Sequence, residues 1–254
     1  MKRLREDFNK RKTELDEYFY FLSLLDKDVP VLQYSEKEIS YSYNVKSELI
    51  KILKANGFLL IYNLVESFCR NFIIEILTAA HGKKLTLRKL SEEMRKIWIA
   101  QRVRNFKDPK TANEKLETCI GGITSDIFNN TIIEFSDIIN GIEHDEKFDP
   151  FGLSGSIAKD KIWNLASQYG FAPATREPEM ERLGRDLELV KTSRNKLAHG
   201  RITFAECGKD QSVINMIAYK EDAVKFLEYM LSNIETYLSQ ATFKQPRTKR
   251  SVQR

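Results

Sequence analysis

The stretch "SRNKLAHG", residues 193–200, places an arginine, an asparagine and a histidine inside what otherwise has the pattern of a packed helix. A guanidinium such as that of Arg194 binds phosphate through two parallel hydrogen bonds and stabilises negative charge that develops there. The imidazole of His199 can accept a proton from a hydroxyl or donate one to a leaving group. These residue types indicate attack on a phosphate ester. A nucleophile supplied by the 2′-hydroxyl of RNA would make a metal unnecessary.

The spacing of Arg194 and His199 restricts how they can work together. Five residues correspond to about 140° around an ideal helix and a rise of roughly 7.5 Å, so the two side chains do not share a face. Gly200 follows directly, which predicts that His199 lies in the last helical turn. A second copy of this helix across a two-fold axis would bring four such groups together. The spacing therefore favours a site at a rim or an interface.

Two predicted helices carry polar residues on otherwise apolar faces. In residues 45–80, the residues spaced three or four apart along one face are apolar at both ends of the helix, but Asn63, Glu66 and Arg70 stand at its centre. In residues 179–199, the apolar face of the predicted helix is interrupted by Arg194. Because burying an unpaired charge is very costly, Glu66 is expected to pair with Arg70, with Arg194, or with both. A purely structural ion pair is the alternative to a catalytic role.

The remaining pattern predicts an all-α fold. Apolar residues at helical spacing predict helices at about 2–26, 45–80, 156–170, 179–199 and from residue 222 onward. Only 11 glycines and 6 prolines occur in 254 residues, which favours long helices over strands and turns. Residues 27–44 interrupt the helical pattern with turn formers and β-formers. We expect one helical domain over residues 1–240.

The net charge of +5 is accounted for by the C-terminal residues 241–254, and a second stretch is also rich in basic residues. Five of the 41 basic residues and no acidic residue lie in residues 241–254, so the remainder carries 36 of each sign. This composition predicts a disordered basic tail, for which binding nucleic acid or simply aiding solubility are the alternatives. The stretch 83–110 is also strongly basic, and it contains the candidate RNA-binding residues Lys83, Lys84, Arg88, Arg95, Arg102 and Arg104.

Cysteine usage and hydropathy predict a cytoplasmic protein. Cys69, Cys119 and Cys207 are far apart in sequence, which indicates free thiols rather than a disulfide framework or a zinc site. The first residues are charged and unlike a signal peptide. The longest apolar run, "FLLIYNLV", is shorter than the roughly 18 residues that span a bilayer, so no membrane partner is expected.

Other candidate sites are weaker. His144 stands among four acidic residues, but consecutive ligands are more typical of a solvated acidic loop than of a metal site. His81, directly before Gly82, is typical of a helix end. The sequence contains neither a phosphate-binding loop nor a Gly-x-Gly-x-x-Gly motif. No metal and no other cofactor is therefore expected.

The segment "RNKLAHG" resembles the R-x4-H motif of the HEPN superfamily, whose all-helical domains include many metal-independent ribonucleases. Asn195 stands where those proteins typically carry a polar residue. Four segments are similar to a bacterial HEPN branch associated with restriction and toxin–antitoxin loci: "REDFNKRKTELDEYFYFLSLL", "LLIYNLVES", "LSGSIAKDKIWNLASQYGF" and "RNKLAHGRITFAECG". Residues 83–150 match least, which suggests a basic helical or loop region inserted into a HEPN-like bundle.

The resemblance implies a role for each of four residues. Arg194 would contact the scissile phosphate, His199 would be the general acid/base, Asn195 would assist them, and Glu66 would orient Arg194. It also implies RNA as substrate, products with 2′,3′-cyclic phosphate and 5′-hydroxyl ends, and a homodimer with one composite site. A branch that is silenced by adenylylation carries a tyrosine where this chain has Arg201, so that form of control is not expected.

Two classes of function remain open. One is a ribonuclease that acts as a toxin or defence effector, held in check by an antitoxin or a restriction-system partner. The other is a catalytically silent HEPN module that binds nucleotide, RNA or a partner protein. The intact arginine, asparagine and histidine favour the ribonuclease. DNA cleavage is a poorer hypothesis, because DNA lacks the 2′-hydroxyl and the sequence shows no clear metal cluster that would activate water.

Overall fold

The computed structural model describes residues 1–27, 30–36, 39–103, 112–145, 149, 152–153, 155 and 157–245. These residues form an all-α fold with one small β-hairpin, which confirms the predicted fold class. The elements in chain order are α1 (Lys2–Leu25), β1 (Val31–Glu36), β2 (Ile39–Asn44), α2 (Ser47–His81), a 3-10 turn (Leu87–Lys89), α3 (Glu92–Val103), α4 (Ala112–Phe128), α5 (Ser136–His144), α6 (Lys159–Tyr169), α7 (Pro178–Leu183), α8 (Asp186–Ala198), α9 (Phe204–Lys209) and α10 (Val213–Ser239).

The chain divides into two compact units. Unit 1 comprises residues 1–69, 154–161 and 175–231, and unit 2 comprises residues 70–153, 162–174 and 232–254. Helices α2, α6 and α10 each contribute residues to both units. Because the division falls inside helices with continuous apolar faces, no linker or change in composition marks it in the sequence.

In unit 1, α1 buries the face that its periodicity predicts. Leu4, Phe8, Leu15 and Leu22 are all buried. The ring of Phe8 meets the ring of Phe68 edge to face, with their centroids 5.8 Å apart. Since full burial of such a side chain contributes roughly 1.5–3 kcal/mol, this face of α1 is a major source of the stability of unit 1.

The helices near the motif differ from their predicted bounds. Residues 179–199 were expected to form one helix, but α7 and α8 are separate and Gly184 lies between them. The side chain of Lys159 packs so closely there that a Cβ on Gly184 would lie 2.5 Å from its Cγ. α10 begins at Val213, well before residue 222, and the hydroxyl of Ser212 accepts a hydrogen bond from the backbone N–H of Asn215 in its first turn.

In unit 2, aromatic residues from three segments pack together. The rings of Phe72 and Phe171 meet edge to face with centroids 5.2 Å apart. Phe243 is only 1% exposed, and its carbonyl accepts a hydrogen bond of 2.8 Å from the backbone N–H of Ser91. Residues 241–245 are therefore packed into unit 2 and do not belong to the predicted tail, of which residues 246–254 lie outside the described part of the chain.

Helix α2 is long and apolar enough, by length and composition, to cross a membrane. Of its most apolar stretch of 18 residues, 61% is buried within the protein. Such burial is typical of the core helix of a folded domain, which a hydropathy criterion alone does not distinguish from a membrane span.

The β-formers between α1 and α2 form a hairpin. β1 and β2 pair antiparallel, with Val31 opposite Asn44 and Glu36 opposite Ile39. Every residue of both strands is exposed.

Candidate active site

The C-terminal end of α8 is closed by a Schellman motif, which determines where His199 lies. The backbone N–H of Arg201 donates to the carbonyl of Lys196 at 2.9 Å, and that of Gly200 donates to the carbonyl of Leu197 at 3.1 Å. Gly200 has a φ of +62°, a left-handed conformation that disfavours other residues. His199 is the C-cap residue, as its position before the glycine predicts, and it is exposed.

Arg194 lies one turn earlier on α8 and is partly buried against α2. Its guanidinium Nη2 is 3.8 Å from Oε2 of Glu66, which is one of the two pairings predicted for this carboxylate. The side chains of Arg194 and Glu66 are 25% and 18% exposed. The guanidinium carbon also lies 4.5 Å from the centroid of the Tyr62 ring, a cation–π arrangement. The positive charge is thus held in place and remains reachable from solvent.

Asn195 connects Arg194 to the loop before α6. Its Nδ2 donates a 2.7 Å hydrogen bond to the carbonyl of Gly155, and its Oδ1 accepts a 3.1 Å hydrogen bond from Nη1 of Arg194. Gly155 has a φ of +68°, and a Cβ there would lie 3.3 Å from Nη1 of Arg194. The backbone therefore has to approach the guanidinium closely, which only glycine allows without strain. Asn195 is placed to orient the arginine.

Tyr62 is a site residue that the sequence did not reveal. It precedes Glu66 by one helical turn, so both side chains point from α2 toward Arg194. Its hydroxyl accepts a 3.3 Å hydrogen bond from the backbone N–H of Ile157. Burial raises the pKa of the Tyr62 phenol, which the hydrogen bond from Ile157 and the charge of Arg194 partly oppose. The ring is therefore neutral at physiological pH and presents its negative face to the guanidinium.

Asn63, which also lies near the centre of α2, does not join this site. Asn63 is exposed, whereas Glu66 and Tyr62 are not. Cys69, less than one turn beyond Glu66, is fully buried, and its burial raises the pKa of the thiol. An uncharged thiol in this position fills space and does not act as a nucleophile.

The imidazole of His199 has both nitrogen atoms available for chemistry. It makes no hydrogen bond or ion pair with any residue that the structure describes. In unit 1, α8 thus presents an anchored guanidinium and, five residues later, an exposed titratable ring. This arrangement can bind an anion at Arg194 and exchange a proton at His199.

The candidate RNA-binding residues lie in unit 2. Lys83, Lys84 and Arg88 are exposed, and Arg95 is half-buried. Arg102 lies over the Trp98 ring at 4.9 Å and 3.6 Å from Oδ2 of Asp126, so its charge is partly neutralised. Arg104 is outside the described residues.

The two remaining histidines also lie in unit 2. His81 ends α2 as predicted, and its Nδ1 accepts a 3.3 Å hydrogen bond from the backbone N–H of Phe135. His144 ends α5 with its side chain 77% exposed. Over the described ranges, no three or more His, Cys, Asp or Glu side chains are grouped so that they could hold a metal ion.

Comparison with known proteins identifies the family. A family model described as HEPN_MAE_28990-like HEPN matches residues 1–243. No curated protein and no solved structure matches the chain significantly. The matched range includes the whole of α8 and the residues of α2 that contact Arg194. The chain therefore belongs to the HEPN_MAE_28990-like HEPN family.

Proposed function

We propose that this protein is a metal-independent endoribonuclease whose active site comprises Arg194, Asn195, His199 and Glu66. The observation that carries the proposal is how the guanidinium of Arg194 is held and how far it is exposed. Its guanidinium is held by an acidic, an amide and an aromatic side chain while one quarter of the side chain remains exposed. A positioned cation together with an exposed histidine on the same helix is the combination that phosphoryl transfer without a metal requires.

In the proposed reaction, the guanidinium of Arg194 binds the non-bridging oxygens of the scissile phosphate. His199 removes the proton from the ribose 2′-hydroxyl, and the 2′-oxygen then attacks phosphorus. The bond from phosphorus to the 5′-oxygen breaks, and that oxygen takes up a proton. The products are a 2′,3′-cyclic phosphate and a 5′-hydroxyl. Asn195 positions Arg194 and does not exchange protons.

A homodimer would supply a second imidazole to this reaction. One histidine is needed to accept the 2′-proton and another to protonate the leaving oxygen in the same step. The angular separation of Arg194 and His199 on α8 also favours a site completed by a second copy. We therefore propose that His199 of each copy acts at a composite site.

We further propose a cytoplasmic toxin or defence effector, controlled by an antitoxin or a restriction-system partner. The resemblance of several segments to the HEPN branch found at such loci supports this role. The exposed cations Lys83, Lys84 and Arg88 would attract RNA through its phosphates, and this attraction would weaken as salt concentration rises.

The test of this function is cleavage of RNA in EDTA. We expect the purified protein to cut single-stranded RNA in the chelator, and we expect the 5′ fragments to end in 2′,3′-cyclic phosphate. Analysis of the fragment ends by mass spectrometry measures this directly. Fragments with 3′-hydroxyl ends, or cleavage that stops in EDTA, would refute the proposed chemistry.

One observation favours a silent HEPN module as the second candidate. The charge of Arg194 is partly neutralised by Glu66 and its Nη1 is already bonded to Asn195, so an incoming phosphate has to compete for the guanidinium. Intact RNA after incubation, together with measurable binding of RNA or nucleotide, would support this alternative.

Glu66→Gln separates an orienting role for the carboxylate from a purely structural one. The 3.8 Å contact is weak and partly exposed, so we expect the free energy of unfolding to fall by less than about 1 kcal/mol. We expect kcat/KM for RNA cleavage to fall by about tenfold, because the guanidinium loses its anchor. Thermal denaturation and steady-state kinetics measure the two effects. Glu48→Gln is the matched control, since it removes an exposed contact with Lys51 on the same helix. Equal activity of the two variants would exclude the orienting role.

A further inference from the structure

Lys161, in the first turn of α6, is a partly buried cation that forms no hydrogen bond or ion pair with the residues that the structure describes. Two other partly buried lysines of unit 1 have acidic partners. Nζ of Lys159 lies 2.8 Å from Oε2 of Glu181. Nζ of Lys191 lies 2.6 Å from Oε1 of Glu188. Because taking a charge out of water is costly, a lysine at this depth is ordinarily compensated, and Lys161 lacks that compensation within the described chain.

The backbone places Lys161 directly after the loop that contacts the candidate active site. The carbonyl of Gly155 accepts the hydrogen bond from Asn195. The backbone N–H of Ile157 donates to the hydroxyl of Tyr62, whose ring lies under the guanidinium. Only four residues separate Lys161 from Ile157, so the first turn of α6 begins close to both contacts.

The electrostatics of Cys69 place the ammonium of Lys161 in the same region as Glu66. Burial raises the pKa of the Cys69 thiol most, the charge of Glu66 raises it further, and the charge of Lys161 opposes both. The influence of a charge falls off with distance, so both charges act near this thiol. Cys69 follows Glu66 by three residues on α2, and Glu66 in turn contacts Arg194.

We propose that Lys161 is a second cation of the active site and binds the scissile phosphate of RNA together with Arg194. This inference rests on the proposed function, since RNA is the ligand. Glu66 offsets part of the charge of Arg194, and a further cation restores a net positive charge where the phosphate binds. A lysine suits this role because its ammonium is a point charge on a flexible stem, which adapts to the phosphate while the guanidinium stays fixed.

The test measures how the binding of single-stranded DNA depends on salt. DNA lacks the 2′-hydroxyl and cannot be cut by the proposed chemistry, so a fluorescein-labelled oligothymidylate reports phosphate contacts alone. For single strands, each neutralised phosphate contributes about 0.7 to the slope of log Kd against log salt concentration. We expect Lys161→Met in the full chain to reduce this slope by about 0.7 and to raise Kd about fivefold at physiological salt. Lys161→Arg should keep both at their wild-type values.

Lys191→Met is the matched control. It also removes the charge of a partly buried lysine of unit 1, but of one that already has Glu188 as its partner. We expect its slope to equal that of the wild type. Both variants change the net charge by the same amount, so a difference between them reports the position of the charge rather than long-range attraction. Circular dichroism and thermal denaturation check that each variant is folded, and Lys161→Gln replaces Lys161→Met if the latter is not.

Cleavage of RNA separates this inference from the proposed function. We expect Lys161→Met to lower kcat/KM about tenfold, because the phosphate loses one of the two cations that stabilise its charge. A protein that cuts no RNA, but whose salt slope falls with Lys161→Met, loses the proposed reaction and keeps Lys161 in a phosphate site. A ribonuclease whose salt slope is the same with and without Lys161 keeps the proposed function and loses this inference.

Three outcomes of the binding experiment would overturn the inference. The wild type could fail to bind the oligothymidylate, or Lys161→Met could bind it with the slope of the wild type. The second result would make Lys161 an ordinary lysine whose stem is buried and whose ammonium reaches water. The third outcome is that Lys191→Met reduces the slope as much as Lys161→Met does, which would mean that only the overall charge of the protein matters.

Discussion

His199→Ala is expected to reduce the rate of RNA cleavage by at least about 100-fold, the usual contribution of a general acid or base. The exposed imidazole makes no hydrogen bond or ion pair with the described residues, and it lies at the helix end rather than in the core. We therefore expect the melting temperature to stay within about 2 °C of the wild type, as for other surface substitutions. Single-turnover cleavage and thermal denaturation measure the two quantities.

His144→Ala provides the matched control for this prediction. His144 is also an exposed histidine at the end of a helix, but it belongs to α5 in unit 2. Its replacement should leave both the cleavage rate and the stability unchanged. If His199→Ala cuts RNA as fast as His144→Ala, then His199 is not the proton-transfer group and the proposed mechanism fails.

Gly208→Ala should cause a large loss of stability although it adds only one carbon. Gly208, in α9, packs directly against the first turns of α2. A Cβ on this residue would lie 1.9 Å from the carbonyl oxygen of Lys51 and 2.7 Å from its carbonyl carbon. These atoms belong to the helix backbone, so no side-chain rotation relieves the overlap. We expect a loss of about 3 kcal/mol or more, at the upper end for overpacked sites. The melting temperature would then fall by roughly 6–12 °C.

The control for this prediction is the same substitution in an open position. Gly121 lies on α4, and a Cβ there would meet no atom of the described residues within 4 Å. Gly121→Ala should leave stability unchanged or raise it by about 0.5–1 kcal/mol, since alanine favours the helix. Denaturant unfolding of both variants provides the comparison. A Gly208→Ala protein as stable as the wild type would mean that α9 does not pack on α2 as described.

The sequence predicts the parts of the site that follow from local rules. An arginine and a glutamate on apolar helical faces must be paired when they are buried, and Arg194 and Glu66 are indeed in contact. Gly200 after His199 predicts the helix end, because a left-handed residue closes a Schellman motif. Both inferences need only the spacing of residues along each helix and the free-energy cost of burying an unpaired charge.

The parts that the sequence does not predict depend on contacts between distant segments. Gly155 accepts its hydrogen bond from Asn195, which lies forty residues later, and nothing in its neighbours identifies that partner. Tyr62 has the appearance of an ordinary core aromatic until α8 is placed beside it. The division into two units is hidden for a similar reason, since it falls within continuous helices.

The fixed environment of Arg194 also affects the thermodynamics of ligand binding. A free arginine side chain carries about 2 kcal/mol of rotamer entropy, most of which a ligand must remove when it binds. Here Tyr62, Glu66 and Asn195 already restrict the rotamer before any ligand arrives. Because Tyr62 and Glu66 belong to the long core helix α2, this restriction persists as long as the core does. The entropic cost of ordering the cation is thus incurred at folding, and an arriving ligand meets the guanidinium already in position.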